Sequence, residues 1–230
     1  MERGDNESAF AALEYDAQVG RAIPYHARFH EETLHLVRAA LGEPERWLDT
    51  GCGTGTLVQK ALACFPATEF FLTDPSTAML EQARGNLGAC DPARVHFLAA
   101  AKSQDLDAGL ACTFDVITAI QCHHYLDRAG RAAAVGACFR LLKPGGLFIA
   151  FENVRPGSER STEIGKRYWE AFQVRSGRTL QEAQDHLQRF DRDYFPVTVA
   201  EHLELLRRAG FETADLFWYS YMQAGFLAIR

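Results

Sequence analysis

Three glycines at alternate positions follow an acidic residue in the stretch WLDTGCGTGTL, residues 47–57. Asp49 ends an apolar run, and Gly51, Gly53 and Gly55 come directly after it. Glycine lets the backbone turn tightly and lets a ligand approach the main chain closely. The spacing matches neither a phosphate loop, which needs a Lys after its last glycine, nor the G-x-G-x-x-G of dinucleotide sites. An acid before the loop would repel a pyrophosphate, so the pattern favours a ligand that carries positive charge.

A second acid, Asp74, ends the next apolar run, TEFFLTD, where a carboxylate can accept hydrogen bonds from both hydroxyls of a ribose. The two acids together predict a nucleoside with a cationic tail. A further run, FDVITAIQ, leads into CHHYLD, which contains His123 and His124. A histidine can accept a proton near neutral pH. The alternative is that one of these rings packs against the strand end and bonds a backbone carbonyl.

Alternating strand and helix patterns must position these residues. Strands are predicted over 46–51, 68–74, 94–100, 114–121 and 147–153, and helices over 56–65, 76–87, 127–142 and 199–211, with Ser76 as a helix cap. Residues 212–230 read as a strand pair whose alternation places Phe217 and Trp218 on opposite faces. The sequence therefore predicts an α/β fold: a Rossmann-like, seven-stranded, mostly parallel sheet with an antiparallel C-terminal strand and a helical cap.

We expect one domain over residues 1–230, built from four segments. These are a helical N-terminal segment (1–45), a ligand-binding core (46–155), an inserted helical cap (156–195) and a C-terminal helix with a strand pair (196–230). The N-terminal segment and the cap would lie over the carboxyl edge of the sheet, where open α/β folds bind ligands. Glu152 and Asn153 end the fifth strand and would point at the pocket mouth.

The cap is rich in aromatic residues and arginines, and two interpretations of them stay open. They form an apolar pocket with guanidinium groups that hold an anionic substrate, or they are the cap's own core and its solvated face. The residues are Tyr168, Trp169, Phe172, Phe190, Tyr194 and Phe195, with Arg155, Arg160, Arg167, Arg175 and Arg178.

Composition narrows the class of protein. The net charge of −6 argues against a nucleic-acid partner, and no apolar run reaches the roughly 20 residues of a membrane span. Six cysteines without a C-x-x-C pair indicate reduced thiols in a cytoplasmic protein. His26, His30, Glu31 and His35 have a spacing compatible with a metal, but a solvated helix is the favoured interpretation and no metal is predicted.

Four motifs resemble those of the class I S-adenosylmethionine-dependent methyltransferases, in the family's order, over residues 47–152. LDTGCGTG and LTDPSTAML look like motifs I and II, FDVITAIQCHHYLD like motif IV, and CFRLLKPGGLFIAFE like motifs V to VI. The resemblance implies that S-adenosylmethionine is the cofactor. It further implies in-line methyl transfer to a hydroxyl, carboxyl or amine of a small molecule.

The resemblance assigns roles position by position. It implies cofactor contacts for Asp49, Gly51, Cys52, Gly53, Thr54, Gly55, Asp74, Pro75, Ser76, Met79 and Gln121. Many members carry an acid after the third strand, where this chain has Ala101, so Lys102, Ser103 and Gln104 would serve there instead. Next to the methyl, His124 or His123 is the candidate general base. Substrate contacts are expected from Tyr25, Tyr125, Glu152, Asn153, Arg155, Tyr168 and Trp169.

The stretch RAIPYH is similar to an R-x-x-P-x-Y segment of a subgroup that includes the carboxy-S-adenosylmethionine synthases. That similarity implies that Tyr15, Arg21, Tyr25 and His26 close on the methionine carboxylate of the cofactor. It also leaves two alternatives open, a carboxy-S-adenosylmethionine synthase and a non-catalytic regulator that binds S-adenosylmethionine. A small-molecule substrate is expected as the partner, with a homodimer possible.

Overall fold

Seven strands form one sheet in the order β3-β2-β1-β4-β5-β7-β6. This computed structural model describes residues 8–230. The strands are β1 (Arg46–Thr50), β2 (Glu69–Thr73), β3 (Val95–Phe97), β4 (Phe114–Ile120), β5 (Leu142–Asn153), β6 (Thr213–Ser220) and β7 (Gln223–Ile229). Neighbours among β1 to β5 pair in parallel, whereas β7 runs antiparallel to both β5 and β6. The predicted sheet, with its antiparallel C-terminal strand, is confirmed.

Eight helices accompany the sheet. They are α1 (Ala12–Ala22), α2 (His26–Leu41), α3 (Thr56–Cys64), α4 (Thr77–Leu87), α5 (Arg128–Leu141), α6 (Glu159–Arg175), α7 (Leu180–Leu187) and α8 (Val199–Ala209), counted among the residues that the structure describes. None of them is long and apolar enough to cross a membrane. Ser76 caps α4 as predicted, because its hydroxyl accepts a hydrogen bond from the Met79 N–H.

The side chains on the two faces of the sheet belong to two hydrophobic clusters, because successive side chains of a strand point to opposite faces. Trp47 of β1 packs in the cluster with α1 to α4, and its neighbour Leu48 packs in the cluster with α5 and α8. In β5, Ile149 packs in the first of these clusters and its neighbour Ala150 in the second. Both faces of these central strands are buried, which holds their carboxyl ends in fixed positions.

The alternation predicted for the last strands is wrong at one point. The register of β6 against β7 shifts between Leu216 and Trp218, which is a bulge at Phe217. Phe217 and Trp218 therefore both contact the ring of Phe151, with centroid distances of 5.3 Å and 5.7 Å. A bulge adds one residue to a strand, so two successive side chains turn toward the same face.

The cap (residues 156–195) is joined to the N-terminal segment by hydrogen bonds. Trp169 of α6 is fully buried, and its indole N–H donates to the carbonyl of Ala22 over 2.6 Å. The guanidinium of Arg21 donates to the carbonyls of Ser176 and Gly177, which follow α6. Trp169 therefore packs at this junction, and the substrate contact expected of it stays a prediction.

Candidate active site

Three adjoining cavities lie at the carboxyl ends of β1, β2 and β4, and we name each after one charged residue in its wall. The Asp74 cavity encloses about 690 Å³ of space not filled by atoms, open solvent included. The Asp49 cavity lies on the other side of the glycine loop and shares Tyr15, Gly51 and Gly53 with it. The Arg189 cavity, under the cap, shares Tyr15, Gln121 and Tyr125 with the Asp74 cavity.

The glycine loop needs its glycines for two different reasons. Gly51 has φ +72°, and a Cβ there would lie 2.5 Å from the Cβ of Cys122, so no side chain fits. Gly53 has φ +54°, and a Cβ there would meet no atom within 4 Å, because this position faces the cavities. The bare backbone at Gly53 leaves room for a ligand to approach it.

Asp74 ties the glycine loop to the end of β2. Its two carboxylate oxygens accept hydrogen bonds from the backbone N–H groups of Gly53 and Ser76, each at 2.9 Å. The residue is 8% exposed and lines the cavity named after it, together with Pro75, Ser76 and Met79. Each carboxylate oxygen has a second lone pair, so the group can also accept from hydroxyls of a ligand.

Asp49 is almost fully buried and lines the Asp49 cavity. Burial raises its pKa to about 7, and the charge of Asp74 adds to this, while the hydrogen bond from the Thr118 hydroxyl at 2.7 Å opposes it. A carboxyl group with such a pKa ionises more readily when a cation binds beside it. The Asp49 cavity is therefore suited to a positively charged group.

The two adjacent histidines differ in their surroundings. His123 lines the Asp74 cavity, and its Nε2 lies 2.8 Å from the hydroxyl of Ser103, which in turn lies 2.6 Å from the Thr50 hydroxyl. Burial lowers the pKa of His123 to about 4, opposed by the charge of Glu152 and assisted by that of Arg131. The ring is neutral near neutral pH.

His124 is enclosed in a polar network that also contains Glu152 and Asn153. Its Nδ1 lies 2.7 Å from a Glu152 oxygen, and its Nε2 lies 3.3 Å from the side-chain nitrogen of Asn153. Glu152 also accepts hydrogen bonds from the backbone N–H groups of His123 and His124. Burial raises the pKa of Glu152, but the His124 hydrogen bond and the histidine charges outweigh it and bring it to about 2. Glu152 thus holds the backbone turn after β4 in place.

The Arg189 cavity contains polar groups that have no hydrogen-bond partner among residues 8–230. Both ring nitrogens of His186 and the hydroxyl of Tyr194 are buried in this way. Asn153 and Arg189 also line the cavity, and the Arg189 Nε donates to Asp193 over 2.9 Å. Phe10 stacks on His186 with a centroid distance of 6.4 Å. The cavity wall therefore combines aromatic rings with polar side chains.

Residues 48–148 match a family described as a methyltransferase domain. A malonyl-[acyl-carrier protein] O-methyltransferase of Geobacter sulfurreducens is 30% identical over 206 residues, which is 90% of this chain and 68% of that protein. The chain belongs to the class I S-adenosylmethionine-dependent methyltransferases. A carboxy-S-adenosyl-L-methionine synthase of Trichodesmium erythraeum is 24% identical over 94% of this chain and 85% of that protein.

A solved structure shows the same fold. The 1,6-didemethyltoxoflavin-N1-methyltransferase of Burkholderia thailandensis, with 1,6-didemethyltoxoflavin and S-adenosylhomocysteine bound, superposes with a TM-score of 0.62. It is 19% identical, and the match covers 96% of this methyltransferase and 88% of that chain.

The cofactor of this methyltransferase is S-adenosylmethionine, and the cavities fit its parts. Asp74 would hold the ribose hydroxyls, and Asp49 would hold the ammonium of the methionine tail, for which its raised pKa suits it. Gly53, open to both cavities, would lie between the two.

Most residues expected at the cofactor line one of the cavities. The structure places Tyr15, His26, Asp49, Gly51, Cys52, Gly53, Thr54, Asp74, Pro75, Ser76, Met79, Lys102, Ser103 and Gln121 there. Gly55 instead precedes α3 as its N-cap with φ +78°, and Gln104 does not line the three cavities. Arg21 is exposed, and its guanidinium donates to the carbonyls of Ser176 and Gly177 at the cap, so it does not line the three cavities.

Of the residues expected at the substrate, Tyr125 and Asn153 line the Arg189 cavity. Tyr25 and Tyr168 are each 53% exposed and lie against Tyr221 instead. Arg155 pairs with Asp191 and does not line the three cavities. The aromatic patch around Tyr221 is therefore separate from the Arg189 cavity.

Three site residues were missed or assigned no contact: His30, His186 and Arg189. His30 follows His26 by four residues, so the two share a helix face, a signal that was interpreted only in terms of a metal. His186 and Arg189 lie in HLQRFDRDYF, where nothing in the spacing distinguishes inward from outward side chains.

Proposed function

We propose that this methyltransferase methylates a small molecule that carries an anionic group, most simply a carboxylate, bound in the Arg189 cavity. The observation that carries the proposal is a set of buried polar atoms without hydrogen-bond partners among residues 8–230, beside Arg189. They are the two ring nitrogens of His186 and the Tyr194 hydroxyl. A buried polar atom without a partner costs free energy, which a bound ligand can recover by making the hydrogen bond.

The electrostatics of the cavity favour an anion. Burial lowers the pKa of His186 to about 3, and the other groups that act on it, Arg178, Arg189 and His124, all lower it further. A guanidinium is also the side chain best suited to bind a carboxylate. In support, the Geobacter sulfurreducens relative is named for a malonyl substrate, which contains a carboxylate.

Tyr15, Gln121 and Tyr125 lie where the Asp74 and Arg189 cavities meet, so they would align the acceptor with the donor. S-adenosylmethionine, when bound, supplies a methyl group on a cationic sulfur. Methyl transfer is an in-line displacement, and positioning provides much of the acceleration. The N-terminal segment and the cap both contribute to the wall of the Arg189 cavity, for example through Val19 and His186.

A carboxylate acceptor is already nucleophilic, whereas a hydroxyl acceptor needs a base. His124 would have to leave Glu152 and Asn153 to act as that base. His123 is the one of the two that lines a cavity, and it remains the candidate base if the acceptor is a hydroxyl. Rates of His123→Asn and His124→Asn measured against pH distinguish these roles: loss of the acidic limb, where the rate falls as the base becomes protonated, identifies the base in that variant.

The test is a screen of small carboxylates, including malonyl thioesters, with methyl-labelled S-adenosylmethionine and mass detection of the product. We expect a labelled ester from at least one of them. Arg189→Gln should lower kcat/KM at least about tenfold and leave the affinity for S-adenosylhomocysteine unchanged. Arg167→Gln, an exposed arginine of α6, is the matched control and should have no effect. An acceptor that turns over equally well in Arg189→Gln would contradict the proposal.

A second candidate function is carboxy-S-adenosylmethionine synthesis. It is favoured by the match to the Trichodesmium erythraeum enzyme over 94% of this chain and by the positive surroundings of His186, which would also suit a carboxylate donor. The product separates the two candidates, because this reaction would yield carboxy-S-adenosylmethionine and no methylated acceptor.

A further inference from the structure

Two histidines from one helix face the Asp49 cavity. His26 and His30 lie on the first turns of α2, four residues apart, and their ring centroids are 5.1 Å apart at an interplanar angle of 70°. Both line the cavity. His30 is 5% exposed, and its Nδ1 is buried without a hydrogen-bond partner in the described part of the chain. A buried imidazole nitrogen of this kind is an available donor or acceptor for a ligand.

The methionine tail of the cofactor ends in an ammonium and a carboxylate, and Asp49 suits only the first. The arginine expected at the carboxylate, Arg21, is held by the carbonyls of Ser176 and Gly177. An anion beside the Asp49 cavity would therefore meet the imidazoles of α2 in place of that guanidinium.

Other charged and titratable groups face these rings from neighbouring elements. Asp16 and Tyr15 of α1, Asp49 of β1, Cys52 of the glycine loop and Lys60 of α3 are the ones concerned. Asp16 accepts hydrogen bonds from the hydroxyls of Thr54 and Thr56 and offers an anion no donor. Burial raises the pKa of Cys52, so its thiol stays protonated, and a thiol is only a weak hydrogen-bond donor. Lys60 is the one cation among them and is the competing candidate.

We propose that His26 and His30 together bind the carboxylate of the methionine tail, in place of an arginine. The proposal depends on the cofactor and not on the acceptor proposed above. Burial lowers the pKa of His26 to about 4, with Lys60 adding to the shift and Asp16 opposing it, and burial likewise lowers the pKa of His30. Before the cofactor binds, each ring is therefore neutral and carries one N–H to donate.

The test compares two ligands, S-adenosylhomocysteine and its decarboxylated analogue, by isothermal titration calorimetry. His26→Phe and His30→Phe keep the ring volume but remove the nitrogens. We expect each to weaken S-adenosylhomocysteine binding by about ten- to a hundredfold and binding of the analogue by less than about threefold. His35→Phe, on the exposed side of α2, is the matched control and should change neither affinity.

Equal losses for both ligands would overturn the proposal, since the histidines would then only shape the cavity. A selective loss in Lys60→Gln with none in the histidine variants would overturn it too and assign the carboxylate to Lys60. Normal binding of the analogue shows that a variant is folded, and His30→Gln replaces His30→Phe if the latter does not fold. Failure of the unaltered protein to bind either ligand would instead contradict the cofactor itself.

Discussion

Removal of the Asp49 charge should weaken cofactor binding in a way that depends on pH. Burial raises the pKa of Asp49 to about 7, and the ammonium of a bound cofactor would return it toward its ordinary value of about 3.9. A group whose pKa falls on binding favours the complex above its unbound pKa, and this contribution is lost as the pH falls through that value. Affinity attributable to Asp49 should therefore decrease between about pH 7.5 and pH 5.

The size of the effect follows from the pKa. A pH of about 5 lies two units below the Asp49 pKa of about 7. Ionising the carboxyl at that pH, so that it can pair with the ammonium, therefore costs about 2.7 kcal/mol. Asp49→Asn lacks this ionisation and should bind S-adenosylhomocysteine about ten- to a hundredfold more weakly at the alkaline end. The affinity of the unaltered protein divided by that of Asp49→Asn should then fall by as much as about 75-fold between about pH 7.5 and pH 5. It should not fall below one, where the two proteins bind equally well.

The assay is calorimetric titration of S-adenosylhomocysteine into both proteins at several pH values. The ratio of affinities cancels ionisations that the two proteins share, including those of the ligand. Thr118→Val should move the midpoint of the ratio to higher pH, because the Thr118 hydrogen bond lowers the pKa of Asp49. Asp115→Asn is the control, since that carboxylate binds the N–H groups of Glu45 and Arg46 instead. A ratio that stays constant from about pH 5 to 7.5, or rises toward acid, would refute the role given to Asp49.

Four other variants test the residues that shape the site. Gly51→Ala should lower the free energy of unfolding by about 2–4 kcal/mol, because it adds a Cβ 2.5 Å from that of Cys122 at φ +72°. Gly53→Ala adds a Cβ that meets no atom within 4 Å, so it should lower the free energy of unfolding by only about 1 kcal/mol. Chemical denaturation measures both, and equal losses would contradict the crowding at Gly51. Glu152→Gln should cost about 2–4 kcal/mol, because its carboxylate accepts three hydrogen bonds. The pKa of Glu152 is lowered to about 2, so its contribution is present above the ordinary pKa of about 4.3 and is lost as the pH falls through about 2. A difference between the melting temperatures of the two proteins that disappears already at about pH 6 would be inconsistent with this. Asp74→Asn should weaken S-adenosylhomocysteine binding at least about tenfold, and unchanged affinity would exclude the ribose contact.

The sheet could be predicted from sequence because its signals are local. Strands bounded by glycine turns, and helices with capping residues, are each encoded by a few successive residues. The sequence alone therefore predicts Ser76 as a helix cap, and in the structure its hydroxyl accepts a hydrogen bond from the Met79 N–H. The glycine loop and Asp74 were equally accessible, since tight turns and a carboxylate after a strand each need a particular residue type. The bulge at Phe217 was not, because it depends on the register against β7.

The Arg189 cavity could not be predicted because it forms between segments distant in sequence. Arg21 and Trp169 were expected at ligands, yet both join the cap to the N-terminal segment across about 150 residues of chain. No periodicity states which side chains of α7, or of the residues directly after it, line the Arg189 cavity. His186 and Arg189 therefore cannot be distinguished by sequence from the solvated arginines of the cap.

The most direct test of the account is product analysis with methyl-labelled S-adenosylmethionine and the carboxylate panel. The account predicts a labelled methyl ester formed together with an equal amount of S-adenosylhomocysteine, and loss of that product in Arg189→Gln under conditions where the variant still binds S-adenosylhomocysteine. Carboxy-S-adenosylmethionine as the product, or no methyl transfer to any carboxylate by protein that binds the cofactor, would contradict it.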